Sequence, residues 1–393
     1  MIAEKKSPLV FLIAGEPSGD AIGARLMVAL RSRHGGDIRF MGLGGEAMIS
    51  EGLESLFPIS EISIMGLLEV LPRLTLVLRR VRETVAAIRE AKPHIVVSID
   101  SPAFCFRVWR GLGKSPPPLM HYVAPTVWAW RPGRAQKFAD AIQHLLALLP
   151  FEPPYFEAVG LPCTFVGHPV LESGADKGDG GLFRAQHDIA KDALVLGVLL
   201  GSRRGEVSRL LGPFGATVRR LMERHPGLRV VVPTVPSVVD LVREAVAQWP
   251  GEVLVVPDRG QKYDAMAACD AALAASGTVA LELGMARVPM VIGYRLNALT
   301  GLVVQRLVRV KYACLINLLL DREAIPEFLL GDCREELITP AIDRLLSDGN
   351  ARKLQIEAAT EAIGKLSAGR ALPSDRAAEA VLGIIFERET NNV

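Results

Sequence analysis

The chain has 393 residues, half of them hydrophobic, and a formal net charge of +2. That length exceeds one ordinary core and points to two domains. The near-neutral balance gives no electrostatic case for nucleic acid, and the scattered cysteines Cys105, Cys163, Cys269, Cys314 and Cys333 lack metal-ligand spacing and read as reduced, cytosolic residues.

Lys5 and Lys6 precede the apolar run Leu9 to Ala14, which Gly15-Glu16 interrupts too soon for a secretory core. No run approaches the roughly 18 apolar residues of a bilayer span. The run reads instead as a central parallel strand covered on both faces. Gly15 to Asp20 then turns into a helical pattern from Ala21 to Arg31. The glycine spacing does not match a dinucleotide fingerprint, and Glu16 and Asp20 would repel a pyrophosphate. Carboxylates in such a turn suit hydroxyls; the alternative is a tight turn capped by Ser18 or Asp20.

Gly42 to Gly45 is a second flexible turn. Between Ile62 and Val81, Leu67, Leu71, Leu74, Leu78 and Val81 form one helical stripe. Ile64, Met65, Leu68, Val70, Leu76 and Val77 add apolar surface off it, beside Arg73, Arg79, Arg80 and Arg82. Such a segment is either buried or an interfacial patch whose arginines meet lipid phosphates. His94 to Ile99 is a buried strand ending at Asp100. A carboxylate there lies where open α/β sheets bind ligands and is placed to act as a general base; otherwise it caps the turn before Pro102. Leu119 to Val123 is the next strand, with His121 taken as structural. Trp128, Trp130 and Arg131 follow in a loop that either stacks on a sugar or anchors itself to the core.

Ser173 to Gly181, rich in glycine and charge, reads as an inter-domain linker. A second series begins at Leu194 to Leu200 and turns at Gly201-Ser202-Arg203, with a helix starting near Glu206. An arginine on a glycine turn at a helix start suits a diphosphate, and without an anion the helix dipole disfavours it. Strands at 229–233 and 253–256 lead to Ala271 to Ala275, the turn Ser276-Gly277-Thr278, a helix carrying Glu282, and a strand from Pro289. That turn either presents N–H groups to phosphate, with Glu282 accepting from sugar hydroxyls, or is capped by Ser276 or Thr278. Asn317 lies among apolar residues and needs partners; from pattern alone it reads as a satisfied core amide. From Glu335 the chain reads as helical to Arg388, with a disordered end at 391–393.

The segments Ala14 to Asp20, His121 to Arg131, Leu149 to Glu152, Val166 to Pro169, Gly201 to Arg203 and Ala275 to Tyr294 resemble the lipid-A-disaccharide synthase family, in the family's order, from about residue 9 to beyond 330. The tryptophan-rich motif is the specific one. The resemblance implies an α/β, GT-B architecture: two Rossmann-like domains facing a central cleft. The expected division is 1–172 for the acceptor and membrane side, 173–340 for the UDP-sugar donor side, and 341–393 for a helical segment packing on the domains or a partner subunit.

The implied reaction is inverting: UDP-2,3-diacylglucosamine and 2,3-diacylglucosamine 1-phosphate give the β-1,6-linked lipid A disaccharide 1-phosphate and UDP. The alternatives are another GT-B UDP-sugar enzyme, such as an epimerase, and a non-catalytic UDP-sugar-binding protein. The expected catalytic base is Asp100. Expected at the donor are Ser202, Arg203, Glu206, Ser276, Gly277, Thr278, Glu282 and Asn317, the last by its matching Asn-Leu-Leu segment. Expected at the acceptor are Gly15, Glu16, Ser18, Trp128 and Arg131, and at the membrane Leu67, Leu68, Leu71 and Leu76. No cofactor or metal is expected, since the chain has no Asp-x-Asp pair. A homodimer on the cytoplasmic face of the inner membrane is implied. The family carries a further Asp and Asn where this chain has Ala103 and Cys105. Either Asp100 suffices, or activity or acceptor handling is altered.

Overall fold

The computed structural model describes residues 7–62, 67–258, 260–297 and 310–391, with the side chains of 67–73, 389 and 391 left aside. The chain divides into two compact units, one of residues 1–169 with 366–393 and the other of residues 170–365.

The first unit is built on seven parallel strands: β1 (Leu9–Ala14), β2 (Arg39–Leu43), β3 (Glu54–Ser55), β4 (Ile95–Ile99), β5 (Leu119–Tyr122), β6 (His144–Ala147) and β7 (Cys163–Phe165), in the order β3-β2-β1-β4-β5-β6-β7. Alternate residues of β1 feed two cores. Phe11 and Ile13 pack with Val85, Val108 and Trp109 on one face. Val10, Leu12 and Ala14 pack with Leu26, Leu30, Val381 and Ile385 on the other. Burial on both faces is why these strands are apolar throughout rather than alternating.

The second unit has six parallel strands: β8 (Val195–Leu199), β9 (Arg229–Pro233), β10 (Val253–Val256), β11 (Ala271–Ala275), β12 (Met290–Tyr294) and β13 (Glu327–Leu329), in the order β10-β9-β8-β11-β12-β13. Both units are therefore Rossmann-like. In each, the strand order reverses once: between β1 and β4, and between β8 and β11. Ligands bind outside the carboxyl ends of strands at such a reversal.

The helical carboxyl terminus is shared between the units. Helices Glu335–Ser347 and Gly349–Lys365 belong to the second, whereas Pro373–Asn391 returns to the first. There Ala377, Val381 and Ile385 enter the core, and Arg33 pairs with Asp375 at 3.1 Å and with Glu379. The stretch 173–181 is no free linker. A Cβ on Gly178 would stand 2.2 Å from Tyr263 O, and one on Gly180 2.3 Å from Ala267 O, so this glycine-rich segment is packed into the second unit.

Candidate active site

The turns after β1 and β4 meet at the first unit's reversal point, where Ala14 is in register with Ile99. A Cβ on Gly15 would lie 2.3 Å from Ser101 Oγ, so only glycine permits this approach. Asp100 and Ser101 both hold left-handed backbone, at φ +55° and +46°. Each such residue costs on the order of 1–3 kcal/mol, and strain of this kind gathers at functional sites. Asp100 Oδ1 accepts the Ser101 N–H at 2.9 Å, and its Oδ2 lies 3.4 Å from the Ser18 hydroxyl, which donates to it. Ser18 is exposed and Asp100 half-buried, so this carboxylate borders solvent beside an alcohol.

Glu16 precedes the helix Pro17–His34 in extended conformation and is half-buried. Asp20 has a different job. It is buried and accepts the backbone N–H groups of Gly45, Ala47 and Met48 at 2.8–3.1 Å, which fastens the Gly42–Gly45 turn to the helix and commits both carboxylate oxygens to the backbone rather than to a substrate. Cys105 is fully buried, and its thiol donates to Asp100 O at 3.4 Å. Desolvation, then the Asp100 charge, drives the thiol far above its usual range. It props the strained turn as a neutral group. Ala103 is exposed and brings no acid.

Beyond β5, His121 is fully buried and bonded through Nδ1 to Ser98 Oγ at 2.8 Å; burial pushes its pKa down to about 3, so the ring stays neutral. Trp128 donates from Nε1 to Glu152 Oε1 at 3.2 Å, while Glu152 Oε2 accepts Leu148 N–H and Leu149 N–H at 3.0 Å each. Burial outweighs these donors and pushes Glu152 up to about 7. Trp128 is thus the anchor of the loop, while the Arg131 and Arg134 guanidiniums lie 4.4 and 5.2 Å from the Trp130 ring centroid.

At the second unit's reversal point, Gly201 has φ +95°, and a Cβ there would fall 2.1 Å from Glu206 Oε2. Helix Arg204–Arg224 begins immediately after, with Ser202 and Arg203 exposed. Glu206 folds back to accept the Ser202 and Arg203 backbone N–H groups, and burial raises its pKa. A carboxylate of the chain itself thus occupies a turn suited to phosphate.

Across the reversal, Gly277 has φ +150° and neither Ser276 nor Thr278 caps the following helix; Ser276 Oγ donates to Ala313 O at 3.1 Å instead. Glu282 receives Lys262 Nζ on both oxygens at 2.7 Å and Tyr263 OH at 3.1 Å. Neither Lys262 nor Tyr263 stands out in the sequence, where their only signal is a place just beyond the end of β10. Asn317 is fully buried and saturated. Its Nδ2 donates to Ile325 O at 2.8 Å and Glu327 Oε1 at 2.7 Å; its Oδ1 accepts Ala324 N–H at 2.8 Å and Ile325 N–H at 2.9 Å. With both hydrogens and both lone pairs used, it has nothing left to offer a donor. It braces the backbone holding Ala313, which Ser276 grips.

Of the expected membrane residues, the side chains of Leu67, Leu68 and Leu71 lie outside those described; Leu76 is half-buried. On the same helix, Leu74 and Leu78 are each 36% exposed. Arg80 is committed to Glu61 at 2.6 Å and to Glu83. Among the described residues no helix is long and apolar enough to cross a membrane.

A family model described as "Lipid-A-disaccharide synthetase" matches residues 10–381. The lipid-A-disaccharide synthase of Rhodospirillum centenum is 56% identical over 98% of this chain and 96% of its own. That of Paramagnetospirillum magneticum is 50% identical over 96% and 97%. Among solved structures, Staphylococcus aureus MnaA with UDP superposes with a TM-score of 0.65 at 13% identity, covering 95% of each chain. Acinetobacter baumannii MurG gives 0.56 at 14%, covering 96% of this chain and 99% of that one. At such identities these structures speak for the fold alone.

Proposed function

We propose, for a chain that belongs to the lipid-A-disaccharide synthetase family, an inverting transfer in which the 2,3-diacylglucosamine unit of a UDP-sugar passes to the 6-hydroxyl of 2,3-diacylglucosamine 1-phosphate. In this reading Asp100 takes the hydroxyl proton as the oxygen attacks the anomeric carbon, and UDP departs with the bonding electrons. A positioned base of this kind contributes typically ~10²–10⁴ in rate. Arg203 and the N–H groups of Ser202 and Arg203 receive the diphosphate once Glu206 withdraws, and Glu282 turns from Lys262 to the ribose hydroxyls.

The observation that supports this most is the coincidence of position. The turns carrying Glu16 and Ser18, Asp100, Arg203, and Ser276 follow β1, β4, β8 and β11, the four strands flanking the two reversals. We further propose that the Leu74–Leu78 face docks reversibly on the cytoplasmic membrane surface, and that two copies of the chain associate. Leu74→Ser with Leu78→Ser weakens co-sedimentation with anionic vesicles if so.

The test is incubation of purified protein with both sugar lipids. UDP and a disaccharide appear only when both are present, and Asp100→Ala suppresses turnover. UDP release without acceptor, or interconversion of the UDP-sugar alone, would assign the chain to the epimerase-like chemistry that its fold also carries.

A further inference from the structure

We propose that Arg131 and Arg134, braced on Trp130, form a binding site for a phosphate monoester, and that its guest is the 1-phosphate of the acceptor. The inference rests on the acceptor reading above and gives that site its charge-recognising element. Both guanidiniums lie over one indole, with Cζ 4.4 and 5.2 Å from the ring centroid. A short turn joins them, closed by Arg134 N–H to Arg131 O at 3.0 Å. Arg131 holds a left-handed backbone at φ +55°, a conformation a bulky side chain adopts only when its surroundings enforce it.

Among the described residues, neither guanidinium has a carboxylate partner. Arg33 and Arg80 of the same unit, by contrast, each hold two carboxylates, and Arg25, Arg89 and Arg107 donate to backbone carbonyls. Desolvation, then the charge of Arg131, lowers the basicity of Arg134. Two like charges are thus gathered on an aromatic face with no resident anion. That arrangement is relieved by a dianion accepting from planar donor forks. Gly133 between them meets nothing within 4 Å of an added Cβ, so the turn stands open on that side. The loop is fixed from below by Trp128 on Glu152, which presents the pair without further ordering.

The experiment compares wild type with Arg131→Gln/Arg134→Gln, using the 1-phosphate acceptor and its 1-hydroxy analogue. Calorimetric titrations with glucosamine 1-phosphate and with glucosamine run alongside. Removing two charge-assisted hydrogen bonds should raise KM for the phosphorylated acceptor about 10²-fold, leaving the 1-hydroxy analogue and the donor KM unchanged. Wild type should bind glucosamine 1-phosphate in preference to glucosamine, and the double variant should not. Equal loss with both acceptors would overturn the proposal and leave the arginines a bracing role. So would an unchanged KM with weakened sedimentation on phosphatidylglycerol vesicles, which would give them to lipid headgroups. Should wild type turn over neither acceptor yet still prefer glucosamine 1-phosphate, the transferase reading falls and the phosphate site stands.

Discussion

Replacing Asn317 by Asp separates a structural amide from a substrate-binding one. In N317D the oxygen that accepts Ala324 N–H and Ile325 N–H is kept, so those bonds at 2.8 and 2.9 Å survive. The other atom becomes an oxygen facing Ile325 O at 2.8 Å and Glu327 Oε1 at 2.7 Å, where the amide had donated to both. Two carboxylates at that separation repel by about 6 kcal/mol at an effective dielectric of about 20. Taking up a proton at pH 8 against an ordinary carboxyl pKa of about 4 costs about 5 kcal/mol, so protonation is the cheaper route and sets the penalty. The loss of the bond to Ile325 O adds about 1 kcal/mol.

The folded variant then binds one proton more than the unfolded chain. Its stability therefore falls as pH rises, by about 1.4 kcal/mol per unit between pH 5 and 8. Urea unfolding of wild type and N317D across that range, followed by hydrogen-exchange mass spectrometry of peptides from residues 170–365, measures this for the second unit. A shared midpoint, or a variant whose only defect is a raised donor KM, would refute the reasoning and return Asn317 to the substrate.

Arg203→Ala should lower kcat about 10²–10³-fold through loss of leaving-group stabilisation, read as UDP release at saturating substrates. If the diphosphate takes the Ser202 and Arg203 amides from the raised Glu206 carboxyl, as proposed, affinity for a UDP-sugar should strengthen as pH falls and Glu206 takes up its proton. Glu206→Ala should bind more tightly and without that pH trend in calorimetric titration. Glu152, pushed up to about 7 by burial, carries its proton further up the pH scale when folded than when unfolded. Its contribution is complete below the unfolded value of about 4.3 and is lost as pH rises through about 7, by about 4 kcal/mol. Glu152→Gln should flatten the thermal stability of the first unit over that interval.

The sequence was legible where one residue's neighbours decide its fate. Continuous apolar runs ending in glycine turns announced parallel strands, so both Rossmann-like units and the turns carrying Asp100, Arg203 and Ser276 could be found. What stayed hidden depends on distant partners. Asp20 reads as a substrate carboxylate until Gly45, Ala47 and Met48 are seen to consume it. Glu282 reads as free until Lys262 reaches it from the start of the helix Lys262–Ala267. The terminal helix returns to the first unit through Arg33 and Asp375, 342 positions apart, a pairing no local periodicity encodes. Glu206 illustrates the subtler case: its position at a helix start was plain, but its occupation of the turn follows from Gly201 leaving room for it.

The central claim is that the second unit's reversal point receives the nucleotide. A crystal structure of the UDP complex tests it most directly. The expected result has the diphosphate on the Ser202 and Arg203 N–H groups with the Arg203 guanidinium alongside, Glu206 displaced, and the ribose hydroxyls on Glu282. UDP bound elsewhere, or bound with Glu206 still on those amides, would contradict the account.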